Sequence, residues 1–554
     1  MADSSTPLLP GHGRERQQQK SWRPWRSWLS WLGGNLVVTC VVLAILALSK
    51  IGTPATDSPK PRPAGKRNLI FMVSDGMGPA SLSMTRSFRQ HTEGLDLGDT
   101  LTLDKHFWGT SRTRSSSSLV TDSAAGATAF SCGRKSYNGA ISVLPDHTPC
   151  GTVLEAAKRA GYATGLVVTT SITDATPACF ASHVDFRTQQ DEIALQQIGQ
   201  GPLGRVLDLM LGGGRCQFLP NSTVGGCRQD DVDVAGLAQA EYGWTYIHDR
   251  TAFDKLSSDG EDVPLPLLGL FAPADIPYEL DRRNMDDRYP SLSEMARTAL
   301  RALEKATEES DKGFFLMIEG SRIDHAGHGN DPSAQVREVL EYDRTFRAVL
   351  DFLEESAVEG VVVGTSDHET GEVNAAYPEY LWYPQVLADA TASSEHLARL
   401  LREHIAEAAP EIIPTQELKA YINDELVVPG LGIRDATEDE LTAVAQHPDL
   451  AQPAFAEMVS VRAQIGWSTH GHSAVDVNVY SSGGAGTEDI RGNVENTDVG
   501  RFLAEYLGVD VEAVTAELRA KMGAEAEAVF GSEDMPGFDH WAAHEASASR
   551  MGLA

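Results

Sequence analysis

Two short polar stretches of this chain carry side chains that could bind a metal and an anion. Ser74-Asp75-Gly76-Met77-Gly78 follows the apolar run Asn68-Leu69-Ile70-Phe71-Met72-Val73, which predicts a buried parallel strand. Val120-Thr121-Asp122-Ser123-Ala124-Ala125-Gly126-Ala127 places a hydroxyl before small residues, a pattern typical of a helix start that can hold an anion. Taken singly, Asp-Gly is more often a turn and Asp-Ser more often a helix N-cap.

Three further clusters of acids and histidines lie downstream. Glu319 to His328 follows a strand-like run, and its Asp324 and His328 are four residues apart, so one helical turn would put both on the same face. Asp367-His368 ends a second apolar run, and Thr469-His470-Gly471-His472 supplies two more imidazoles. Carboxylates and imidazoles without thiolates favour zinc and magnesium over a cysteine-built structural zinc site.

Together these motifs resemble the alkaline phosphatase family, in the family's order from about Leu69 to about Leu507. The basic, apolar N-terminus makes the chain most similar to the fungal vacuolar, repressible members. The motifs that carry the resemblance are Asp75-Gly76-Met77-Gly78, Asp122-Ser123-Ala124, Asp174-Ala175-Thr176-Pro177, His183 to Arg187, Glu319 to His328, Thr365-Ser366-Asp367-His368 and His472.

The resemblance implies hydrolysis of phosphate monoesters of many kinds through a phosphoserine at Ser123, with Arg187 binding phosphate oxygens. It implies two Zn²⁺ and one Mg²⁺ per chain, and a homodimer. Asp174 and His325 are expected to position the residues that bind the metals and the phosphate, without binding either directly. The implied ligands are Asp324, His328 and His472 for the first zinc, Asp367 and His368 with bridging Asp75 for the second, and Asp75, Thr176 and Glu319 for magnesium.

Three alternative functions are weighed against this prediction. A sulfatase of the same superfamily would need Cys/Ser-x-Pro-x-Arg, and the residues after Ser123 contain neither proline nor arginine. A phosphodiesterase would share the metals but usually lacks an arginine such as Arg187. An inactive, membrane-anchored binding protein is disfavoured, because every expected ligand type is present.

The choice between His470 and His472 as a zinc ligand is made from the following strand. Val475, Val477 and Val479 alternate with polar residues, which predicts a strand there. In the family the ligand histidine stands four residues before an Asp-Val that begins this strand. Counting back selects His472 and leaves His470 as a loop or supporting residue.

The N-terminus predicts a type II membrane anchor. Residues 27–49 carry no charge and as a helix would span roughly 34 Å at about 1.5 Å per residue, enough for a bilayer core of about 30 Å. Five basic residues in segment 1–26 predict a cytoplasmic leader. Residues 50–67 are expected to form a linker to a catalytic domain on the lumenal side of the membrane, which the family resemblance implies is that of the vacuole. The alternative is a cleaved signal peptide, since the strongly apolar core is short and Ala47-Leu48-Ser49 resembles a cleavage site.

Cysteine usage fits an oxidising lumen. Cys216 and Cys227 bracket a turn-rich loop that contains Asn221-Ser222-Thr223, so we expect a disulfide-closed loop glycosylated at Asn221. Cys132 and Cys150 are a second candidate pair. Cys179, between Ala178 and Phe180, is expected to be buried and free.

Composition and periodicity predict one large α/β catalytic domain over residues 68–510, with an acidic tail at 511–554. Hydrophobic residues make up 42% of the 554, and β-like runs alternate with helices, which predicts a central, mostly parallel sheet covered on both faces and preceded by one transmembrane helix. The charge patterns at 397–402 and 512–522 predict solvated helices, and residues 411–450 stay unassigned. A net charge of −32 argues against nucleic-acid binding.

Overall fold

The computed structural model describes residues 65–258, 263–375 and 380–530. The predicted leader (1–26), the predicted anchor (27–49) and the linker up to residue 64 lie outside the described residues, as does the tail beyond residue 530. Within the described part of the chain, no helix is long and apolar enough to cross a membrane.

Fourteen strands are formed by the described residues. They are β1 Arg67–Val73, β2 Phe107–Arg112, β3 Ala163–Ser171, β4 Leu209–Gly213, β5 Thr245–Ile247, β6 Leu267–Leu270, β7 Phe314–Glu319, β8 Glu359–Thr365, β9 Glu369–Thr370, β10 Val373–Ala375, β11 Ile465–Trp467, β12 His472–Ser473, β13 Val477–Ser481 and β14 Gly492–Glu495.

Nineteen α-helices accompany them in the described residues. They are α1 Pro79–Thr92, α2 Thr102–Lys105, α3 Ser123–Cys132, α4 Val153–Arg159, α5 Ala175–Ala181, α6 Gln190–Leu195, α7 Val234–Tyr242, α8 Arg250–Ser258, α9 Glu279–Arg282, α10 Leu292–Ala306, α11 Arg322–His328, α12 Pro332–Glu355, α13 Pro384–Asp389, α14 Ser394–Ala408, α15 Thr415–Tyr421, α16 Glu438–Gln446, α17 Ala451–Ala463, α18 Asn496–Leu507 and α19 Val511–Phe530. Short π-helical or 3₁₀ segments occupy Gln196–Gln200, Arg215–Phe218, Ile422–Leu431, Pro448–Leu450 and Thr487–Ile490.

Ten strands form one sheet in the order β14-β2-β13-β8-β1-β7-β3-β4-β6-β5. Only β13 runs antiparallel to its neighbours, β2 and β8, so the prediction of a mostly parallel sheet is confirmed. Along β1 the side chains alternate between two cores, with Phe71 on one face and Ile70 on the other. Burial on both faces explains why β1 is an unbroken apolar run.

Helices cover both faces of this sheet, as predicted. One core includes Leu154 of α4 and Phe502 of α18, whereas the opposite core includes Met295 of α10 and Phe346 of α12. A third cluster, formed by α13 to α17 with part of α1, incorporates the unassigned residues 411–450. That segment therefore packs with these helices around an apolar core of its own.

The two predicted solvated helices are helical but not fully solvated. Leu397 and Leu401 of α14 are buried in the third cluster. Val514 and Leu518 of α19 are buried in the core against α4, and the Thr515 hydroxyl accepts a hydrogen bond from the Gly151 N–H at 2.8 Å. The first part of the predicted acidic tail therefore packs against the catalytic domain. The prediction was wrong because alternating charges mask an apolar stripe that distant helices cover.

Candidate active site

Strand register brings three of the sequence motifs to one edge of the sheet. Val73 at the end of β1 pairs with Glu319 at the end of β7 and with Thr365 at the end of β8. Asp75 and the Asp367-His368 pair follow these ends directly, so the acids and the histidine meet where parallel α/β sheets bind ligands.

Ser123 lies at the first position of α3, as its sequence setting predicts. The Asp122 side chain caps the helix by accepting a hydrogen bond from the Ala125 N–H at 3.0 Å. The Ser123 hydroxyl oxygen is 3.1 Å from His368 Nε2, and the side chain is buried. The serine therefore faces the acid-histidine cluster from the first turn of a capped helix.

The first predicted ligand group converges on a small volume. One turn of α11 brings Asp324 Oδ2 within 3.3 Å of His328 Nε2. His472 Nε2, in β12, lies 3.1 Å from His328 Nε2 and 3.6 Å from Asp324 Oδ1. Burial and repulsion from His368 lower the pKa of His472 to about 4, so its neutral imidazole keeps a lone pair for a cation.

The second predicted group surrounds His368 Nε2. Asp367 Oδ2 lies 3.1 Å and Asp75 Oδ1 3.5 Å from that nitrogen, and all three side chains are buried. Burial and repulsion from Asp367 and Asp324 raise the pKa of Asp75. A divalent cation would remove this repulsion.

The third predicted group contains oxygen donors. Burial raises the pKa of Glu319 to about 8, and the negative charge of Asp174 adds to the shift, whereas the Ser321 hydroxyl opposes it. The Ser321 hydroxyl donates to Glu319 at 2.7 Å. An oxygen-only set of this kind suits magnesium.

Three orphaned polar atoms mark where cations fit. Asp75 Oδ1, Asp367 Oδ2 and Thr176 Oγ1 are buried without a hydrogen-bond partner among the described residues. Leaving such atoms unpaired is costly, and metal coordination is one of the few ways to satisfy them in a buried site. All three belong to the predicted ligand sets, so the residues present fit divalent metals.

Arg187 lies at the edge of the acid-histidine cluster, where two carboxylates hold its guanidinium. Its side-chain Nη2 donates to Asp174 Oδ1 at 2.9 Å, and its Nη1 lies 3.5 Å from Asp122 Oδ2. The backbone N–H of Arg187 donates to the Gly139 carbonyl at 2.8 Å. Burial would lower the pKa of Arg187, but these two acids raise it, so the guanidinium stays charged. The role of Asp122 as a bridge between the serine helix and Arg187 was missed, because the sequence signals only its N-cap.

The remaining predicted residues lie around this cluster. His325 turns towards Asp275, with 3.4 Å between Nδ1 and Oδ2, a partner that no motif signalled. His470 is exposed and its Nδ1 lies 2.8 Å from the His328 carbonyl. Beside His328 opens a cleft of about 880 Å³, lined in part by His325 and Gln452.

The cysteine predictions are confirmed. Disulfides join Cys132 to Cys150 and Cys216 to Cys227, and Cys179 is free and buried. Asn221 lies exposed within the second disulfide loop.

A sheet covered on both faces, with buried carboxylates and histidines at its strand ends and a serine at a helix start, defines an α/β metallohydrolase. A sequence model of the family described as alkaline phosphatase matches residues 66–509. The chain therefore belongs to the alkaline phosphatase family and is a metal-dependent hydrolase of phosphate monoesters.

Relatives across most of the chain agree. The chain is 53% identical to the repressible alkaline phosphatase of Saccharomyces cerevisiae over 506 residues, 87% of this chain and 88% of that protein. It is 47% identical to an alkaline phosphatase of Schizosaccharomyces pombe over 94% of both chains. Among solved structures it is similar to Thermus thermophilus alkaline phosphatase, with a TM-score of 0.67 and 29% identity over 83% of this chain and 97% of the other.

Proposed function

We propose that the chain hydrolyses phosphate monoesters in two phosphoryl transfers through a phosphoserine at Ser123. The observation that carries the proposal is the Ser123 hydroxyl, 3.1 Å from His368 Nε2, the same nitrogen that lies 3.5 Å from Asp75 Oδ1 and 3.1 Å from Asp367 Oδ2. The serine oxygen attacks phosphorus in line, the alcohol leaves, and water then hydrolyses the phosphoserine to release inorganic phosphate.

The residues assigned to metals are those of the sequence prediction. Asp324, His328 and His472 would hold one zinc; Asp367 and His368, with Asp75, would hold a second; and Asp75, Thr176 and Glu319 would hold magnesium. Bound there, the cations supply positive charge to the attacking and leaving oxygens.

Arg187 binds two non-bridging phosphate oxygens through its planar fork. Asp174 and Asp122 orient that fork, so each carboxylate acts through the guanidinium. The cleft beside His328 accepts the alcohol part of the substrate, and its volume supports broad specificity. Only the phosphoryl group of the substrate is bound through charge. The cations and Arg187 would be the largest charges next to it, so the negative net charge of the chain does not prevent turnover.

A comparison of three esters tests the reaction class. The purified protein should hydrolyse an aryl phosphate monoester far faster than a phosphate diester or a sulfate ester. Arg187→Ala should lose more monoester than diester activity, because a monoester presents one more anionic oxygen to the guanidinium. A wild-type preference for the diester or the sulfate would overturn the proposal.

We also propose that residues 27–49 anchor the chain in the vacuolar membrane, with residues 1–26 cytoplasmic and Asn221 glycosylated in the lumen. The exposed, disulfide-closed loop around Asn221 supports a lumenal catalytic domain. Protease added to sealed vacuoles should remove only the leader. A mature chain beginning near Lys50 would instead identify a signal peptide.

A homodimer completes the proposed organisation, as the family resemblance implies. Light scattering of the purified catalytic domain should give twice the chain mass. A mass of one chain at micromolar concentration would contradict it.

A further inference from the structure

Thr370 occupies the junction between the two proposed zinc sites. Its hydroxyl donates to Asp324 Oδ1 at 2.5 Å, and the same oxygen lies 3.2 Å from His368 Nδ1. Asp324 belongs to the first ligand group and His368 to the second. Thr370 itself is fully buried, so water cannot replace either bond.

The direction of these two bonds follows from the chemistry of the three groups. Asp324 would ligate a cation as a carboxylate, which has no proton to donate, so its Oδ1 accepts the bond from Thr370 Oγ1. The Thr370 proton is therefore committed to Asp324. The lone pairs of the hydroxyl oxygen then face His368 Nδ1, which must carry the proton.

This arrangement fixes the tautomer of His368. With its proton on Nδ1, the ring presents a lone pair at Nε2, the atom that faces Ser123 Oγ and Asp367 Oδ2, each at 3.1 Å. A protonated Nε2 could not ligate a cation. Hydrogen bonds to the far nitrogen of a ligand histidine commonly set its orientation and its basicity in this way.

The backbone of Thr370 joins the same elements. Its N–H donates to the Gly76 carbonyl at 3.0 Å, one residue after Asp75, and in the β9–β12 ladder Thr370 is paired with His472. Thr370 thus contacts or pairs with segments that carry ligands of both groups.

We propose that Thr370 is a positioning residue that couples the two zinc sites through the path His368 Nδ1–H to Thr370 Oγ1–H to Asp324 Oδ1. The inference rests on the ligand assignment of the proposed function and goes beyond it. Losing the hydroxyl should weaken both zinc sites together, because its bond to Asp324 orients a ligand of the first site and its bond to His368 orients a ligand of the second.

Chelator competition on the zinc-loaded full-length protein tests this coupling. Thr370→Val keeps the β-branched shape and removes the hydroxyl. In competition with the chelator, the valine variant should bind both zinc ions at least tenfold more weakly than the wild type does. Thr370→Ser keeps the hydroxyl and should stay within about threefold of the wild type. If the valine variant does not fold by circular dichroism, Thr370→Ala removes the same hydroxyl with less bulk.

Thr345→Val is the matched control, since its hydroxyl is equally buried but, within the described residues, bonds only to the Glu341 carbonyl of its own helix, α12. It should leave both zinc affinities unchanged. Weakening of one zinc alone, unchanged affinities in the valine variant, or equal weakening in the Thr345 control would overturn the coupling. A wild-type protein that binds no zinc would instead contradict the proposed function.

Discussion

The two histidines of the Thr469–His472 loop should differ sharply as zinc ligands. His472 Nε2 lies 3.1 Å from His328 Nε2 and 3.6 Å from Asp324 Oδ1, inside the first ligand group. His470 points its Nδ1 at the His328 carbonyl, 2.8 Å away. We therefore expect His472→Ala to remove a ligand and His470→Ala to remove only a neighbour.

The size of the difference follows from the contacts. Protein zinc sites bind with about 10–16 kcal/mol, so one ligand of about four is worth about 3 kcal/mol, or roughly a hundredfold in affinity. His470→Ala loses side-chain hydrogen bonds worth about 1 kcal/mol each. The bond that matters more to the site, from His328 Nδ1 to the backbone carbonyl of His470, survives in the alanine variant.

Metal analysis of the two dialysed variants provides the assay. His472→Ala should retain about one zinc fewer per chain than the wild type and lose nearly all hydrolysis of an aryl phosphate. His470→Ala should keep its zinc and most of its activity. The opposite pattern would identify His470 as the ligand. It would refute the assignment of His472 from its spacing of four residues before the Asp-Val that begins the next strand.

Three further changes have defined outcomes. Asp122→Ala removes an N-cap worth about 1 kcal/mol and one anchor of Arg187, so melting temperature should fall and inhibition by inorganic phosphate should weaken. Gly78→Ala would place a Cβ 1.9 Å from Glu369 Oε1, and the overpacking should destabilise the fold by about 1–3 kcal/mol in denaturant unfolding. Burial raises the pKa of Asp281 to about 6. The contribution of this carboxyl to stability is therefore full below about pH 4 and is lost as the pH rises through 6. Asp281→Asn should remove about 2 kcal/mol of that decline between pH 4 and pH 7.

Each of these has a contradicting result. Unchanged phosphate inhibition in Asp122→Ala would show that Asp174 alone holds Arg187. Gly98→Ala is the control for Gly78→Ala, because its Cβ would meet open space, and equal stability of the two variants would disprove the clash. Parallel stability curves for wild type and Asp281→Asn would show that this carboxyl does not titrate between the folded and unfolded states.

The central sheet was predictable because its strands are buried on both faces. The runs at 68–73, 313–318 and 360–364 leave no polar alternation, and each ends in the acids or histidines that the sheet brings together. The one-turn spacing of Asp324 and His328 was likewise readable, since it depends only on local helix geometry.

What could not be predicted depends on contacts between distant segments. Thr370 bonds to Asp324 and to its near neighbour His368, and nothing in its local sequence signals the first of these. The burial of Leu397 likewise depends on residues from α17, far along the chain. A pattern of residue types records periodicity and caps but not which distant segment covers them.

Trapping the covalent intermediate tests the central claim most directly. Zinc-loaded protein incubated with ³²P-labelled inorganic phosphate and quenched in acid should carry label on one peptide, with mass spectrometry placing the phosphate on Ser123. Ser123→Ala should carry none while still binding zinc. Phosphoserine at any other residue, or labelling that persists in Ser123→Ala, would contradict the mechanism.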